Sequence, residues 1–128
     1  MTSHIHLIIG ASSLLPLEGI IRDLKAFTSR HIRKVLEDDL QVNESREWIL
    51  KRMYYAGKHN SNNKGFQFWQ QHSHPIELNT TAIIEQKLAY IHLNPVDSGF
   101  VDVPECWTYS SARDYAGIAT GPIELIYL

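Results

Sequence analysis

The chain of 128 residues has a single cysteine, Cys106, so it forms no internal disulfide, and a lone thiol without a basic cluster beside it in sequence reads as packing. Long apolar runs are missing too: residues 7–9 and 123–128, the latter broken by Glu124, fall far short of the ~20 residues a membrane span needs. The opening MTSHIHLII has neither the basic n-region nor the small-residue cleavage site of a signal peptide. A cytoplasmic protein with no membrane partner is therefore expected. No Walker-type glycine loop is present, so no ATP site is read, and no internal repeat is visible. Hydrophobic residues at 44% and charged ones at 20% are close to globular averages, which excludes disorder, coiled coil and collagen. A chain this long buries enough surface for one core, so residues 1–128 are expected to be one domain.

Net charge is −2, but it is unevenly spread. Residues 22–64 hold ten of the twelve lysines and arginines: Arg22, Lys25, Arg30, Arg33, Lys34, Arg46, Lys51, Arg52, Lys58 and Lys64. Such a segment can form a basic surface for a polyanion, although a run of charge on helices is more often a solvated face.

Periodicity places the elements. Residues 4–9, HIHLII, are β-branched and precede a Gly-Ala-Ser-Ser breaker, a strand signal. From Pro16, apolar residues recur every three or four positions through Leu36, an amphipathic helix ended by Glu37, Asp38 and Asp39. Asn43 is placed to cap a second helix carrying Trp48, Ile49, Met53 and Tyr54. The polar stretch 57–65 is expected to be a mobile loop, and 66–70 (FQFWQ) alternates as a half-buried strand. A third helix starts after Asn79 or Thr80 and is expected to stop at Asn94-Pro95, with residues 96–128 as a tail packed on the core, ending in an extended piece over 123–127.

Two constellations could carry chemistry. His4 and His6 are two apart on the predicted strand, so both imidazoles leave the same face, a spacing suited to a transition metal or, with oxygen ligands added, to Mn or Mg. His72 and His74 are an equally spaced pair in a turn, and spacing alone does not choose between them. Tyr90 and Asn94 are four apart on the third helix and share a face. A tyrosine nucleophile needs a metal or base beside it to activate its phenol. Trp48, Trp69 and Trp107 border predicted core faces and read as packing.

Read together, these segments resemble the single-tyrosine HUH transposases, in particular the REP-associated tyrosine transposase-like group. MTSHIHLII is similar to that family's MPNHIHLLI. LEGIIRDLKAFTSRHI, FQFWQQHSHPIEL, KLAYIHLNPVDSGFV and CWTYSSARDYAG resemble, in order, its next helix, tryptophan strand, tyrosine helix and tail signature. The resemblance implies an α+β, ferredoxin-like antiparallel sheet with helices packed on one face. It implies a single-stranded DNA endonuclease and strand transferase acting through a 5′-phosphotyrosine intermediate. Tyr90 would be the nucleophile, and His4, His6 and Asn94 would hold Mg or Mn. His74 matches a family histidine without an assigned role. Arg22, Lys25, Arg30, Arg33, Lys34, Lys51 and Arg52 become candidates to track the backbone of single-stranded or hairpin DNA.

Family members carry a strand, a helix and a strand ahead of the HUH strand, whereas Met1 stands three residues before His4. The sheet is accordingly expected to be N-terminally truncated, and its bare edge to be covered by pairing into a homodimer or larger assembly. The competing expectation is a truncated, non-catalytic remnant acting as a DNA-binding or interaction module.

Overall fold

The computed structural model describes residues 3–11, 16–38, 44–61, 63, 65–71, 73–118 and 121–127. These fall into two compact units, Gly10–Pro75 and Met1–Ile9 with Ile76–Leu128. Burial is shallow: among the described residues Gly57, Pro95 and Ala112 are the buried positions.

In the first unit, α1 spans Leu17–Asp38 and α2 spans Glu44–Lys58. Pro16 sits just ahead of α1, and its carbonyl accepts from the Gly19 amide at 2.9 Å, so the fixed proline φ starts the first turn. The expected cap, Asn43, lies outside the described residues. Side chains tie α1 to α2: Arg33 donates to Glu37 at 2.9 Å and to the Tyr54 hydroxyl at 3.2 Å, and that hydroxyl donates to Glu37. Phe66 stands edge-on to Tyr54 with its ring under the Arg33 guanidinium.

The segment 66–70 is not a strand. Its Gln67 amide donates to the Met53 carbonyl of α2 at 2.9 Å, and Trp69 Nε1 donates to Thr28 Oγ1 of α1 at 2.8 Å. Gly57 makes that approach possible, because a Cβ there would lie 2.2 Å from the Phe66 backbone nitrogen. In the polar stretch before it, Asn60 and Asn63 both donate to Gln67 Oε1.

In the second unit, α3 spans Thr81–Asp97. Thr80 caps it, with its hydroxyl accepting from the Ile83 amide at 3.3 Å. The helix does not stop at Asn94-Pro95; it continues through the buried Pro95 for less than a turn. Its end is a Schellman turn, in which the Phe100 amide donates to Pro95 O and the Gly99 amide to Val96 O, with Gly99 at φ +72°. A 3₁₀ turn at Pro104–Cys106 packs on α3 and on the short α4, Ala112–Tyr115.

The expected α+β ferredoxin-like antiparallel sheet is overturned: the described residues form helices and extended segments, with no strand among them. Residues 4–9, 66–70 and 123–127 have the β-branched or aromatic composition of strands. A strand, however, exists only where a second backbone takes its amides and carbonyls, and composition does not supply that partner. Residues 4–9 instead meet α3 through side chains, and Tyr127 meets Tyr115 of α4 through its ring, 5.2 Å away. No helix of the described residues is long and apolar enough to cross a membrane.

Candidate functional site

The second unit brings three of the four predicted site residues together. His4 and His6 leave the extended segment 4–9 with ring centres 4.9 Å apart at 81°. His6 then lies edge-on to Tyr90 of α3, centre to centre 5.5 Å at 76°. Residues distant in the sequence thus share one cluster, with Tyr90 still 51% exposed and open to a large substrate.

The electrostatics of the pair suit a ligand role. Burial, and next the neighbouring His4, hold the His6 pKa below the usual imidazole value, which keeps its ring neutral. Ser3 Oγ lies 3.2 Å from His4 Nδ1. That contact engages one ring nitrogen: with the proton on Nδ1 donated to the hydroxyl, Nε2 keeps its lone pair for a metal, whereas with the hydroxyl donating, Nε2 carries the proton instead.

The donor set fits a divalent ion in part. An ion bound at ~2.1 Å from each imidazole nitrogen lies ~3.2 Å from each ring centre, so two rings sharing it at ordinary coordination angles sit ~4.5–5.2 Å apart. The observed 4.9 Å falls in that interval, and it is equally the separation of an ordinary edge-on ring contact, which is how the two rings meet. No third His, Cys, Asp or Glu completes a group of three among the described residues, so the remaining ligands must be amide, phenol, substrate or water oxygens. Asn94 is one of two amides on the Tyr90 face of α3, one turn or ~6 Å along the axis, with Gln86 a turn away on the other side. Asn94 is half-buried, its backbone carbonyl accepts from the Ser98 amide at 3.1 Å, and its side chain makes no hydrogen bond to either imidazole.

The second histidine pair is described only at His74. His72 lies outside the described residues, and His74 is held at φ +44°, a left-handed turn conformation before Pro75.

The predicted DNA-contact cations divide into two kinds. Lys25 donates to Ser73 Oγ at 2.7 Å and Arg33 is engaged by Glu37 and Tyr54, so both hold the first unit together. Arg30 donates back to Ala26 O of its own helix, and Arg22 pairs with Asp23. Lys34 is exposed. Lys51 and Arg52 lie on α2, the former 3.4 Å from Glu47 and the latter over the Trp48 ring at 4.7 Å.

Two groupings were not read from the sequence. His92 Nε2 lies 2.9 Å from Ser111 Oγ, and burial lowers the His92 pKa against the opposing pull of Glu105. Ser111 begins α4 without using its hydroxyl as a helix cap, so the bond to His92 fastens α4 to α3. No local motif signals it, since the partners are 19 residues apart. The other is the exposure of Trp48 at 58% and Tyr55 at 69%, on one stripe of α2. Its signal was present: Lys51 and Arg52, three and four residues after Trp48, make that face unfit for a core.

No family model, no curated protein and no solved structure matches the chain.

Proposed function

We propose that the chain is a single-stranded DNA strand transferase of the single-tyrosine HUH type, in which Tyr90 is the nucleophile and His4, His6 and Asn94 hold Mg or Mn. The observation that carries the reading is the His4–His6–Tyr90 cluster, which sets two imidazoles, the His6 ring held neutral by burial, against the exposed phenol. The reading rests on this site and not on the fold, since no sheet forms among the described residues.

When bound, the ion polarises the scissile phosphate and stabilises charge on the departing oxygen. The chain's own residues supply the rest. Tyr90 presents its hydroxyl from α3 at the open side of the cluster, where a phosphodiester can reach it. Attack forms the bond between Tyr90 Oη and phosphorus and breaks the bond from phosphorus to the 3′ oxygen. The proton lost by the phenol is balanced by the one on the released 3′ hydroxyl. The phosphotyrosine keeps the energy of the broken ester, so a later 3′ hydroxyl can reverse the step and join strands.

A second reading, a binding module without catalysis, is favoured by one observation: the cations concentrate in Gly10–Pro75, whereas Tyr90 belongs to the other unit. The two part on a single experiment. Labelled single-stranded hairpin DNA is incubated with the protein and Mn and run on a denaturing gel. A covalent adduct that Tyr90→Phe abolishes supports the transferase; binding without any adduct supports the module.

A further inference from the structure

We propose that one face of α2, built on Trp48, Arg52, Tyr55 and His59, is a stacking platform for unpaired bases of single-stranded DNA. The ligand class rests on the reading above, whereas the evidence for the platform lies wholly within α2 and the turn after it.

Trp48, Lys51, Arg52 and Tyr55 stand at i, i+3, i+4 and i+7, so they form one stripe. With Ala56 they line an open groove of about 400 Å³. Aromatic residues at such spacing ordinarily face a core. Here they cannot, because burial would strand two cations in the same stripe, and the indole and phenol accordingly remain 58% and 69% exposed. The rings are also already arranged for stacking. The Arg52 guanidinium lies over the Trp48 ring at 4.7 Å, and the His59 ring lies on Tyr55 at 4.2 Å with a tilt of 39°. The His59 orientation is fixed by its Nδ1, 2.8 Å from Tyr55 O. Each ring thus carries a planar partner on one face and still presents flat surface to solvent, the two rings lying ~10 Å apart along the axis.

The charge of the stripe selects the ligand. From Trp48 to Asn60 there is no acidic residue, while Lys51, Arg52 and Lys58 are present. Two acids precede Trp48 on α2, Glu44 and Glu47, and Glu47 pairs with Lys51 at 3.4 Å in an exposed contact that a phosphate can displace. Exposed rings interleaved with cations match a strand whose bases are free to leave the backbone and stack. A duplex keeps its bases paired and offers such rings nothing to stack on, and an acidic peptide would use the cations but not the rings.

The test is fluorescence anisotropy of a short labelled oligo(dT) with the full chain in EDTA, so that binding is read without cleavage. Trp48→Ala and Tyr55→Ala are each expected to weaken binding ~5- to 150-fold, whereas Trp48→Phe, which keeps a ring, retains most of the affinity. Lys51→Gln and Arg52→Gln are each expected to flatten the salt dependence by ~0.7 in slope. Oligo(dT) should quench indole emission in the wild type, and Trp48→Phe should remove that quench. Unchanged affinity in both alanine variants, with unchanged circular dichroism, overturns the platform. So does equal binding of a duplex, or equal competition by polyglutamate, since either would mean that charge alone is read. A Trp48-dependent quench in a protein that never forms the Tyr90 adduct defeats only the transferase reading, and an adduct with no dependence on Trp48 or Tyr55 defeats only the platform.

Discussion

The two units differ in charge and in the kind of side chain they expose. Gly10–Pro75 carries ten lysines and arginines against seven acids, while Met1–Ile9 with Ile76–Leu128 carries only Lys87 and Arg113 against seven acids. The acidic unit holds the imidazoles and the phenol; the basic one holds the cations and the exposed rings of α2. A reactive cluster in a unit of net negative charge does not attract a polyanion by itself. On the proposed function, chemistry and grip are therefore separate tasks, and each can be removed without the other.

The largest effect should come from the cluster. Changing His4 and His6 together to Ala is expected to abolish the Mn-dependent adduct and to weaken Mn binding by more than the ~10–100-fold typical of losing a supporting contact. Oligo(dT) binding in EDTA should remain at the wild-type level. A parallel loss of DNA binding, measured by anisotropy, would break the separation of the two tasks.

A smaller effect tests the basic unit. Gly57→Ala pushes a Cβ to 2.2 Å from the Phe66 backbone and is expected to cost ~1–3 kcal/mol in urea unfolding, as overpacking does. Gly10→Ala is the control, since nothing lies within 4 Å of a Cβ there, and it should stay within ~0.5 kcal/mol of wild type. Equal costs at the two glycines would mean that 66–70 does not rest on α2 as described.

The smallest effect concerns acid. His6 and His92 both have pKa values lowered by burial, so the unfolded chain takes up their protons first as pH falls through ~6.5. Stability is then lost with acidification and is complete only above that pH. His92→Gln, which retains a partner for Ser111, should shallow the stability decline between neutral and mildly acidic pH. An unchanged slope would remove His92 from this account.

Local signals in the sequence were legible and non-local ones were not. Pro16 and the acids at 37–39 bracketed α1, observed as Leu17–Asp38, and Thr80 capped α3, because caps and breakers act within a few residues. Pro95 misled: its missing amide only weakens the final turn, and the effective stop is Gly99, whose left-handed φ the sequence does not display. The expected strands at 4–9 and 66–70 failed together, since pairing is a property of two segments and composition describes one. Trp48 was read as core from its aromatic ring, against the evidence of the two cations on its own stripe. The His4, His6 and Tyr90 grouping was legible only through resemblance, because spacing alone left two histidine pairs equivalent and said nothing of what faced Tyr90.

The cluster makes one claim that chemistry can answer residue by residue. The protein is incubated with single-stranded hairpin DNA and Mn, treated with nuclease and protease, and its peptides are searched by mass spectrometry for a nucleotide adduct. The account predicts one modified peptide, with the phosphate on Tyr90 of the segment KLAYIHLNP, and none in EDTA. A phosphate found instead on Tyr54, Tyr109 or Tyr115, or no adduct at all with a hairpin the protein demonstrably binds, would contradict it.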